Sequence, residues 1–296
     1  GLGLRWCHSR RRGYRWQAGC VSSPSPTPPV PSPFSRVKVV AEAGSTNTDL
    51  VAAVLADDAA WPHLSVLRAE HQVAGRGRTG RAWTTPAGTA LTFSVVIRPR
   101  RPPAEWATLS LVSGLAVVRA LRTLPGPEGR ELAAALKWPN DVLLLGTVPD
   151  GVAPLAGWGS TRKVAGILAE TVPGRDALVV GTRVKLAQRG EADLPLPWAT
   201  SVALAGASTT PDQLLLAIGT ELAALLERWE SEGFEALRPA VVAVTDTVGR
   251  EVEVDLGAVV VRGRAIDVAA DGRLHLITAD GEPKQISAGD VVHARR

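Results

Sequence analysis

The stretch from residue 70 to residue 83 constrains the fold and function of this chain more than any other. It contains three arginines and three glycines, in the order Gly75-Arg76-Gly77-Arg78-Thr79-Gly80-Arg81. It lies between runs at 65–69 and 91–97, whose apolar residues predict two strands. Glycine lets backbone N–H groups approach a ligand, and a guanidinium matches carboxylate or phosphate oxygens. We therefore predict an anion-binding loop, with a solvated basic loop as the alternative.

Composition limits the class of protein. The chain has 296 residues, 45% of them hydrophobic, which suggests one larger domain and a small one. Both cysteines, Cys7 and Cys20, lie near the N-terminus, so the rest can hold neither a disulfide framework nor a thiolate metal site, and a reducing cytoplasm is favoured. We find no apolar run long enough to span a bilayer, and the net charge of +4 does not require a nucleic-acid partner.

Residues 1–35 differ in composition from the rest of the chain. They include Arg10-Arg11-Arg12 and a Pro/Ser-rich tract at 22–33, and no acidic residue precedes Glu42. This proline density predicts a disordered extension. An organelle-targeting peptide and a nucleic-acid-binding arm are the alternatives for an Arg-rich, acid-poor N-terminus.

The folded part is expected to begin with a short strand at 37–40. Ser45 or Thr46, followed by Asp49, predicts the N-cap of a helix that continues through residue 55. Helix capping explains most Ser-Thr-Asn clusters, so Ser45-Thr46-Asn47 is a weak ligand site when it is judged alone.

A second polar cluster interrupts a strand. A helix is predicted over about 104–124 and a strand over 136–145. Pro139 must break this strand because proline cannot donate to a sheet ladder, and Lys137, Asn140 and Asp141 cluster at the break. These polar groups are candidates for a site, and an Asx-type turn explains Asn140-Asp141 equally well.

A third cluster lies on the strand predicted at 162–170. Lys163 begins this strand and Gly166 lies inside it, a position that often marks close approach of a ligand or another backbone. The next strand, at 177–180, leads into Gly181-Thr182-Arg183-Val184-Lys185. A helix over about 211–229 is expected to end the larger domain.

From residue 241 the pattern changes to short β segments. They lie at 252–254, 259–261, 265–268, 274–276 and 291–293. Turn signals such as Asp271-Gly272 and Asp280-Gly281 separate some of them. About five short strands in this space predict a small SH3-like β-barrel.

Taken together, these segments resemble the biotin protein ligases. The residues that carry the resemblance are Ser45-Thr46-Asn47, Gln72, the run from Gly75 to Trp83, Lys137-Trp138-Pro139-Asn140-Asp141 and the run from Lys163 to Glu170, in the family's order. The resemblance implies an α/β (α+β) fold with a mixed, largely antiparallel sheet flanked by helices. It places a catalytic domain at 36–236 and an SH3-like β-barrel domain at 237–296, after the disordered extension at 1–35.

The resemblance also implies an activity in two steps. Biotin and Mg-ATP would give biotinyl-5′-AMP and pyrophosphate, and a lysine of a carboxylase's biotin carboxyl carrier domain would then attack the mixed anhydride. ATP and Mg²⁺ are the implied cofactors. The implied partners are biotin, ATP and the carrier domain, with a homodimer possible and with neither nucleic acid nor membrane expected. Bringing two anions together requires charge neutralisation and positioning more than an acid or base.

Site residues follow from the same resemblance. The biotin-binding residues would be Ser45, Thr46, Asn47, Gln72, Gly75, Arg76, Gly77, Arg78, Lys163 and Gly166. The ATP-binding residues would be Arg78, Arg81, Trp83, Lys137, Asn140, Lys163 and Lys185, and the catalytic residues Arg78, Lys163 and Asp141. Asp141 would orient or deprotonate the incoming lysine. No metal-ligating residue is assigned, and Trp198 would either cover the adenine or serve as an ordinary core or surface residue.

The chain departs from the family at one place. Where the family carries Gly-x-Gly-x-Asn, this chain has Gly181-Thr182-Arg183-Val184-Lys185. An Asn carbonyl can help to organise Mg²⁺, whereas an ammonium cannot ligate a metal. Lys185 binds phosphate oxygens directly, or nucleotide binding is impaired, or the sequence is locally in error. We favour impairment or error, because an Arg183 side chain would have no room in a turn that approaches a ligand.

Two other functions stay open. A lipoate or octanoate ligase of the same fold is disfavoured by the Gly-Arg-Gly-Arg loop, and an inactive biotin-binding homologue is kept open by the altered segment at 181–185. Some family members carry an N-terminal DNA-binding domain of about 60 residues, a size within the small-domain range. Only 36 residues precede the first predicted strand here, so we expect a ligase without repressor activity.

Overall fold

The structure of the protein is a computed structural model. It describes residues 32–77, 82–146, 155, 158–190, 193–194, 196–257, 259–287 and 289–293. The chain from Ser32 onward forms one compact unit. Residues 1–31 of the disordered extension expected at 1–35 lie outside the described residues, so that part stays a prediction, whereas Phe34 is buried in the main core.

A large mixed sheet forms the centre of the molecule. Its strands are β1 (Arg36–Ala43), β2 (Ser65–Arg76), β3 (Ala82–Thr85), β4 (Ala90–Ile97), β5 (Ala134–Lys137), β6 (Asp141–Leu144), β7 (Arg162–Thr171) and β8 (Leu178–Lys185). Their order is β1-β2-β4-β8-β7-β6-β5, with β3 paired to β2. The pair β1 and β2 is parallel and the others are antiparallel. The predicted mixed, largely antiparallel sheet is confirmed.

Helices cover both faces of this sheet. They are α1 (Thr46–Ala56), α2 (Leu109–Arg122), α3 (Pro211–Glu232) and α4 (Phe234–Val244). Side chains of a strand alternate between its two faces. In β4, Phe93 and Val95 therefore point to one face and Val96 points to the other. Phe93 and Val95 belong to the main core with α2 and α3, whereas Val96 packs with Leu50 of α1. The apolar cluster on the α1 face is the smaller of the two.

The helix predicted at 104–124 consists of a 3₁₀ turn, Pro103–Thr108, followed by α2. By length and composition the segment Pro103–Arg122 could cross a membrane, contrary to the expectation that no apolar run is long enough. However, 72% of its most apolar window is buried inside the protein. Such burial is typical of the core helix of a globular protein, which is apolar on most sides because other elements surround it.

The Gly- and Arg-rich stretch begins as a strand rather than as a loop. β2 continues through Gly75 and Arg76, and these residues pair with Trp83 and Ala82 of β3. The prediction that all of 70–83 forms a loop is therefore wrong, because the ladder with β3 satisfies the backbone of the first half. Residues 78–81, which include Arg78 and Arg81, lie outside the described residues.

A second sheet follows α4. It consists of β9 (Glu251–Asp255), β10 (Val260–Val268), β11 (Leu274–Ile277), β12 (Pro283–Ile286) and β13 (Asp290–His293), all antiparallel, in the order β12-β11-β10-β9-β13. The segments predicted at 259–261 and 265–268 are one strand, β10, and β12 was not predicted. Among the described residues no ladder joins β12 to β13, so this sheet is open rather than a closed barrel. The boundary expected between residues 236 and 237 falls inside α4, and the division into domains stays a prediction.

Candidate active site

A cavity of about 150 Å³ lies on the α1 face of the large sheet, where the start of α1 meets β4, β7 and β8. Ten of the residues proposed from the sequence line it: Ser45, Thr46, Asn47, Gln72, Gly77, Asn140, Asp141, Lys163, Gly166 and Lys185. Thr92, Gly181 and Arg183 also line it. The three separate sequence clusters therefore meet in one place.

One end of the cavity is a network of neutral polar side chains. Ser45 is the N-cap residue of α1, as predicted, but its side chain makes no capping hydrogen bond. The Thr46 N–H donates instead to Gln72 Oε1 at 3.0 Å. The Ser94 hydroxyl lies 2.8 Å from Thr46 Oγ1 and 2.6 Å from Asn47 Oδ1. These groups are buried, so they suit an uncharged polar ligand that can replace the hydrogen bonds of water.

Asn47 connects this network to the sheet. Its Nδ2 group donates to the Leu168 carbonyl at 3.1 Å and to Glu170 Oε2 at 2.6 Å. Gly181 of β8 faces Asn47 so closely that a Cβ atom at 181 would clash with Asn47 Oδ1. The backbone at 181 is ordinary strand, so its conformation does not require glycine. The close contact with Asn47 is what requires it.

The other end of the cavity is charged. Lys163 Nζ lies 2.5 Å from Asp141 Oδ1, and these side chains are 22% and 18% exposed. Gly166 lies opposite Asp141 in the ladder between β6 and β7. A Cβ atom at 166 would lie 3.4 Å from Lys163 Nζ, so glycine leaves space beside the ion pair.

Asn140 fixes the turn between β5 and β6 against the neighbouring strand. Its Nδ2 group donates to the Ile167 carbonyl at 2.9 Å, and the Ile167 N–H donates to the Asn140 carbonyl at 2.9 Å. The Asn140 amide thus bonds across to β7. This contact places Asn140 and Asp141 on the cavity wall and favours the site interpretation over a purely local turn.

The altered segment at 181–185 is a regular part of β8. Arg183 lies opposite Thr92 of β4 and Gly166 of β7. The prediction that residues 181–185 form a turn without room for Arg183 is wrong, because the strand directs this side chain into the cavity lining. Burial lowers the pKa of the Arg183 guanidinium from its ordinary value.

Lys185 has its ammonium group turned toward the backbone of β7. Its Nζ donates to the carbonyls of Lys163 at 3.1 Å and Val164 at 3.4 Å, and the residue is 6% exposed. Burial lowers the pKa of Lys185 to about 7, with smaller contributions from the positive charges of Lys163 and Arg183 that Asp141 partly offsets. Near neutral pH this amine is therefore close to its titration midpoint.

An aromatic pair lies next to the charged end. The rings of Trp158 and Trp198 stack with centroids 6.0 Å apart and an interplanar angle of 13°. Lys137 Nζ lies 4.2 Å from the centroid of the Trp158 ring. The Lys163 N–H donates to the Trp198 carbonyl at 2.8 Å. This bond holds the aromatic pair beside Lys163, whose ammonium lies at the charged end of the cavity.

The remaining proposed residues take other positions. Gly75 and Trp83 face each other in the β2–β3 ladder, and Arg76 ends β2. Lys137 is buried beside Trp158 and is not part of the cavity lining. Four residues at the site were not predicted from the sequence: Thr92, Ser94, Gly181 and Arg183. Thr92 and Ser94 alternate with apolar residues in β4, a polar pattern that could have identified them.

Metal ligation by the protein was not expected. Within the described ranges, no group of three or more His, Cys, Asp and Glu side chains could hold a metal ion. Asp141 is the only carboxylate among the described residues of the cavity lining, and it is paired with Lys163.

Comparison with known proteins agrees with this geometry. Residues 44–184 match the biotin/lipoate A/B protein ligase family, and residues 247–294 match the biotin protein ligase C-terminal domain. The chain is 38% identical over 268 residues to the biotin–[acetyl-CoA-carboxylase] ligase of Mycobacterium tuberculosis, covering 89% of this chain and 91% of that protein. It is 35% identical over 195 residues to the enzyme of the same name from Paracoccus denitrificans, covering 62% and 72%.

A solved structure adds evidence for the fold. The biotin protein ligase from Aquifex aeolicus in complex with biotin and ATP matches with a TM-score of 0.68 and 25% identity, covering 89% of this chain and all of that one. The two family matches lie in the same order along the chain as the large sheet and the second sheet. The chain belongs to the biotin protein ligase family.

Proposed function

We propose that this protein is an ATP-dependent biotin protein ligase that forms biotinyl-5′-AMP and transfers biotin to a lysine of a carrier domain. The observation that carries the proposal is the single cavity with a neutral end at Thr46, Asn47 and Gln72 and a charged end at Lys163 and Asp141. The ureido ring of biotin is uncharged and polar, and its carboxylate lies at the end of an aliphatic tail. One molecule can therefore bind across both ends.

In the first step, a carboxylate oxygen of biotin forms a bond to the α-phosphorus of ATP while the bond to the pyrophosphate oxygen breaks. Pyrophosphate leaves with the electron pair. Lys163 neutralises the carboxylate and the α-phosphate, which otherwise repel each other. Gly166 leaves room for this approach. Mg²⁺ would enter the site bound to the phosphates of ATP, because the described residues offer no group of carboxylates to hold it, and it would help to neutralise the phosphate charge.

In the second step, the amine of the carrier lysine attacks the carbonyl carbon of the mixed anhydride. The bond to the phosphate oxygen breaks and AMP leaves. Asp141, at the cavity wall, orients the amine and accepts its proton. A carboxylate within reach of the attacking nitrogen is suited to this role.

We propose that the nucleotide extends from the cavity wall at Asn140 toward the stacked Trp158 and Trp198 rings. Asn140 and the Trp158–Trp198 pair offer an amide and a flat aromatic surface beside Lys163. Lys137 contributes to this region through its contact with Trp158 rather than by a direct place in the cavity. Arg78, Arg81 and Trp83 are proposed for the phosphates and the nucleotide by resemblance to the family. Gly75, Arg76 and Gly77 are likewise proposed for biotin.

Lys185 is proposed to contact a phosphate oxygen with its third N–H group. The neutral amine has two N–H groups, and both can serve the carbonyls of Lys163 and Val164. Protonation adds a third donor without loss of these bonds. A bound anion stabilises the charged form and so favours this donor.

The partners follow from the reaction. The carrier is the biotin carboxyl carrier domain of an acetyl-CoA or related carboxylase, as the names of the similar enzymes suggest. We place the reaction in the cytoplasm because both cysteines of the chain lie in the first 20 residues. Neither a membrane nor nucleic acid is needed for it, and a homodimer is compatible with it.

The test compares biotin with lipoate. Purified protein is incubated with Mg-ATP, either acid and an isolated carrier domain, and pyrophosphate release and the mass of the carrier are measured. We expect release and a mass increase with biotin, and at least about a tenfold loss of kcat/KM in Lys163→Met, since a hydrogen bond to a charged group contributes about 1.5–3 kcal/mol. Lys38→Met, on the exposed part of β1, is the matched control. Turnover of lipoate alone supports the alternative ligase, and no turnover of either acid supports an inactive homologue.

A further inference from the structure

The second sheet and the segment that leads to it contact the β5–β6 turn directly. The indole Nε1 of Trp138 donates to the Gly272 carbonyl at 2.9 Å, and the backbone N–H of Trp138 donates to Thr247 Oγ1 at 3.0 Å. The Asp246 N–H donates to the Leu136 carbonyl at 2.7 Å. Trp138 and Thr247 are 2% and 0% exposed, so water cannot replace these bonds without local opening.

Gly272 is held in place from the opposite side as well. It lies in the turn between β10 and β11 with φ +83°, a value that favours glycine. A Cβ atom at 272 would lie 3.4 Å from Leu111 Cδ1 and from Thr108 Cγ2, at the start of α2. The turn therefore rests on α2 while its carbonyl reaches Trp138. A methyl group at 272 would lie at the limit of ordinary contact with these side chains and would strain the positive φ, so it should shift this carbonyl rather than the cavity lining.

We propose that the C-terminal sheet positions the catalytic turn, with Gly272 and Thr247 as positioning residues that act through Trp138. Asn140 and Asp141 follow Trp138 by two and three residues and line the cavity, where Asp141 belongs to its charged end. A small displacement of Trp138 is thus transmitted to the groups assigned to the nucleotide and to the carrier lysine. The inference rests on the function proposed above for the choice of substrates.

The neutral end of the cavity is built from other elements. Thr46 and Asn47 lie on α1, Gln72 on β2 and Ser94 on β4. Loss of the contact with Trp138 should therefore raise the KM for ATP and slow transfer to the carrier while the affinity for biotin is kept. If the contact has only a structural role, its loss should lower the melting temperature without raising the KM for ATP more than it weakens the affinity for biotin.

The first experiment compares two glycine variants with similar backbone strain. Gly281 has φ +84° in the next turn of the same sheet, and a Cβ atom there meets nothing within 4 Å. We expect Gly272→Ala to raise the KM for ATP by about tenfold, which corresponds to the loss of one buried hydrogen bond, and to leave the calorimetric affinity for biotin within about twofold of the wild type. Gly281→Ala should lose a similar amount of stability with no change in KM. Equal KM values for the two variants would overturn the proposal.

The second experiment separates the effect of the Thr247 hydroxyl from the effect of the side chain's shape. Thr247→Val keeps the branched side chain and removes the acceptor, whereas Thr247→Ser keeps the acceptor and removes a methyl group. We expect the KM for ATP to rise in the Val variant and to return toward the wild-type value in the Ser variant. The opposite order, in which the loss of the methyl group matters more than the loss of the hydroxyl, would refute the positioning role.

A third measurement does not depend on ligase activity. Amide hydrogen exchange of residues 138–142 should become faster in Gly272→Ala and Thr247→Val than in Gly281→Ala and Thr247→Ser. If the wild type shows no biotin-dependent pyrophosphate release, the proposed function fails, and this exchange pattern still decides whether the sheet holds the turn. Unchanged exchange in all four variants would refute the inference while leaving the ligase function intact.

Discussion

Because Lys185 is buried, the free energy of unfolding of the protein should increase as the pH rises above neutral. Its pKa is lowered to about 7, chiefly by burial, whereas the same group in an unfolded chain titrates near 10.5. Between these values the unfolded state binds the proton and the native state does not. Stability therefore rises with pH over this range, because the unfolded state holds more protons than the native state. Below pH 7 the native protein must carry the buried charge, and the full cost is present.

The magnitude follows from the two pKa values. Each pH unit between them contributes about 1.4 kcal/mol, so the complete cost of the charged form is roughly 5 kcal/mol. Between pH 7 and pH 9 the wild type should gain roughly 2–3 kcal/mol from this group alone. Lys185→Met keeps most of the side-chain length and removes the charge, so the variant should lose this gain and be more stable than the wild type at pH 6.

The assay is urea unfolding at pH 6, 7, 8 and 9 for the wild type, Lys185→Met and Lys38→Met. The last variant removes a lysine from the exposed part of β1 and should keep the wild-type pH dependence. The difference in the free energy of unfolding between wild type and Lys185→Met should shrink as the pH rises. If the two curves stay parallel from pH 6 to pH 9, Lys185 remains charged in the native protein and the reasoning from burial is refuted.

Three further predictions address separate parts of the chain. Gly181→Ala should abolish biotin binding measured by calorimetry, because its Cβ would displace Asn47, and circular dichroism should show an intact fold. Unchanged affinity would show that the Asn47 side chain is dispensable. Removal of residues 1–31 should leave ligase activity unchanged. In contrast, Phe34→Ala should lower the free energy of unfolding by about 3–5 kcal/mol, because Phe34 is buried in the main core. Arg78→Gly should release biotinyl-AMP early and biotinylate bystander lysines, and a variant that loses biotin binding without such leakage would contradict the phosphate role of Arg78.

The strands that the sequence predicted best are those with a strict apolar pattern or a clear break. The strand around Lys163 and the interruption at Pro139 were predicted close to their observed bounds, since residue chemistry alone determines both. β12 (Pro283–Ile286) has three exposed residues and begins with proline, so its sequence carries little strand signal. α4 was missed because Pro239 lies inside it and argues against a helix.

The site was harder to predict at the positions where one strand touches another element. Ser94 is 47 residues from Asn47 in sequence, yet its hydroxyl lies within hydrogen-bond distance of that side chain. Arg183 was expected in a turn because only the family pattern was available, and its pairing with β4 and β7 decides its direction. Periodicity could place such a residue on one face of a strand. It could not show which element covers that face.

The ion pair between Lys163 and Asp141 suggests how one cavity can perform two different steps. While Lys163 Nζ lies 2.5 Å from Asp141 Oδ1, this ion pair occupies the carboxylate oxygen that would otherwise face the incoming amine. When the α-phosphate binds, it competes for the same ammonium group, and Asp141 becomes available to the amine of the carrier lysine. The nucleotide would therefore prepare the base that the second step needs. On this reasoning Asp141→Asn should still release pyrophosphate with biotin and ATP in a single turnover. Transfer from isolated biotinyl-AMP to the carrier should slow by at least about a hundredfold, the lower end of the range typical of general-base catalysis. Equal slowing of both steps would show that Asp141 serves only to hold Lys163 in place.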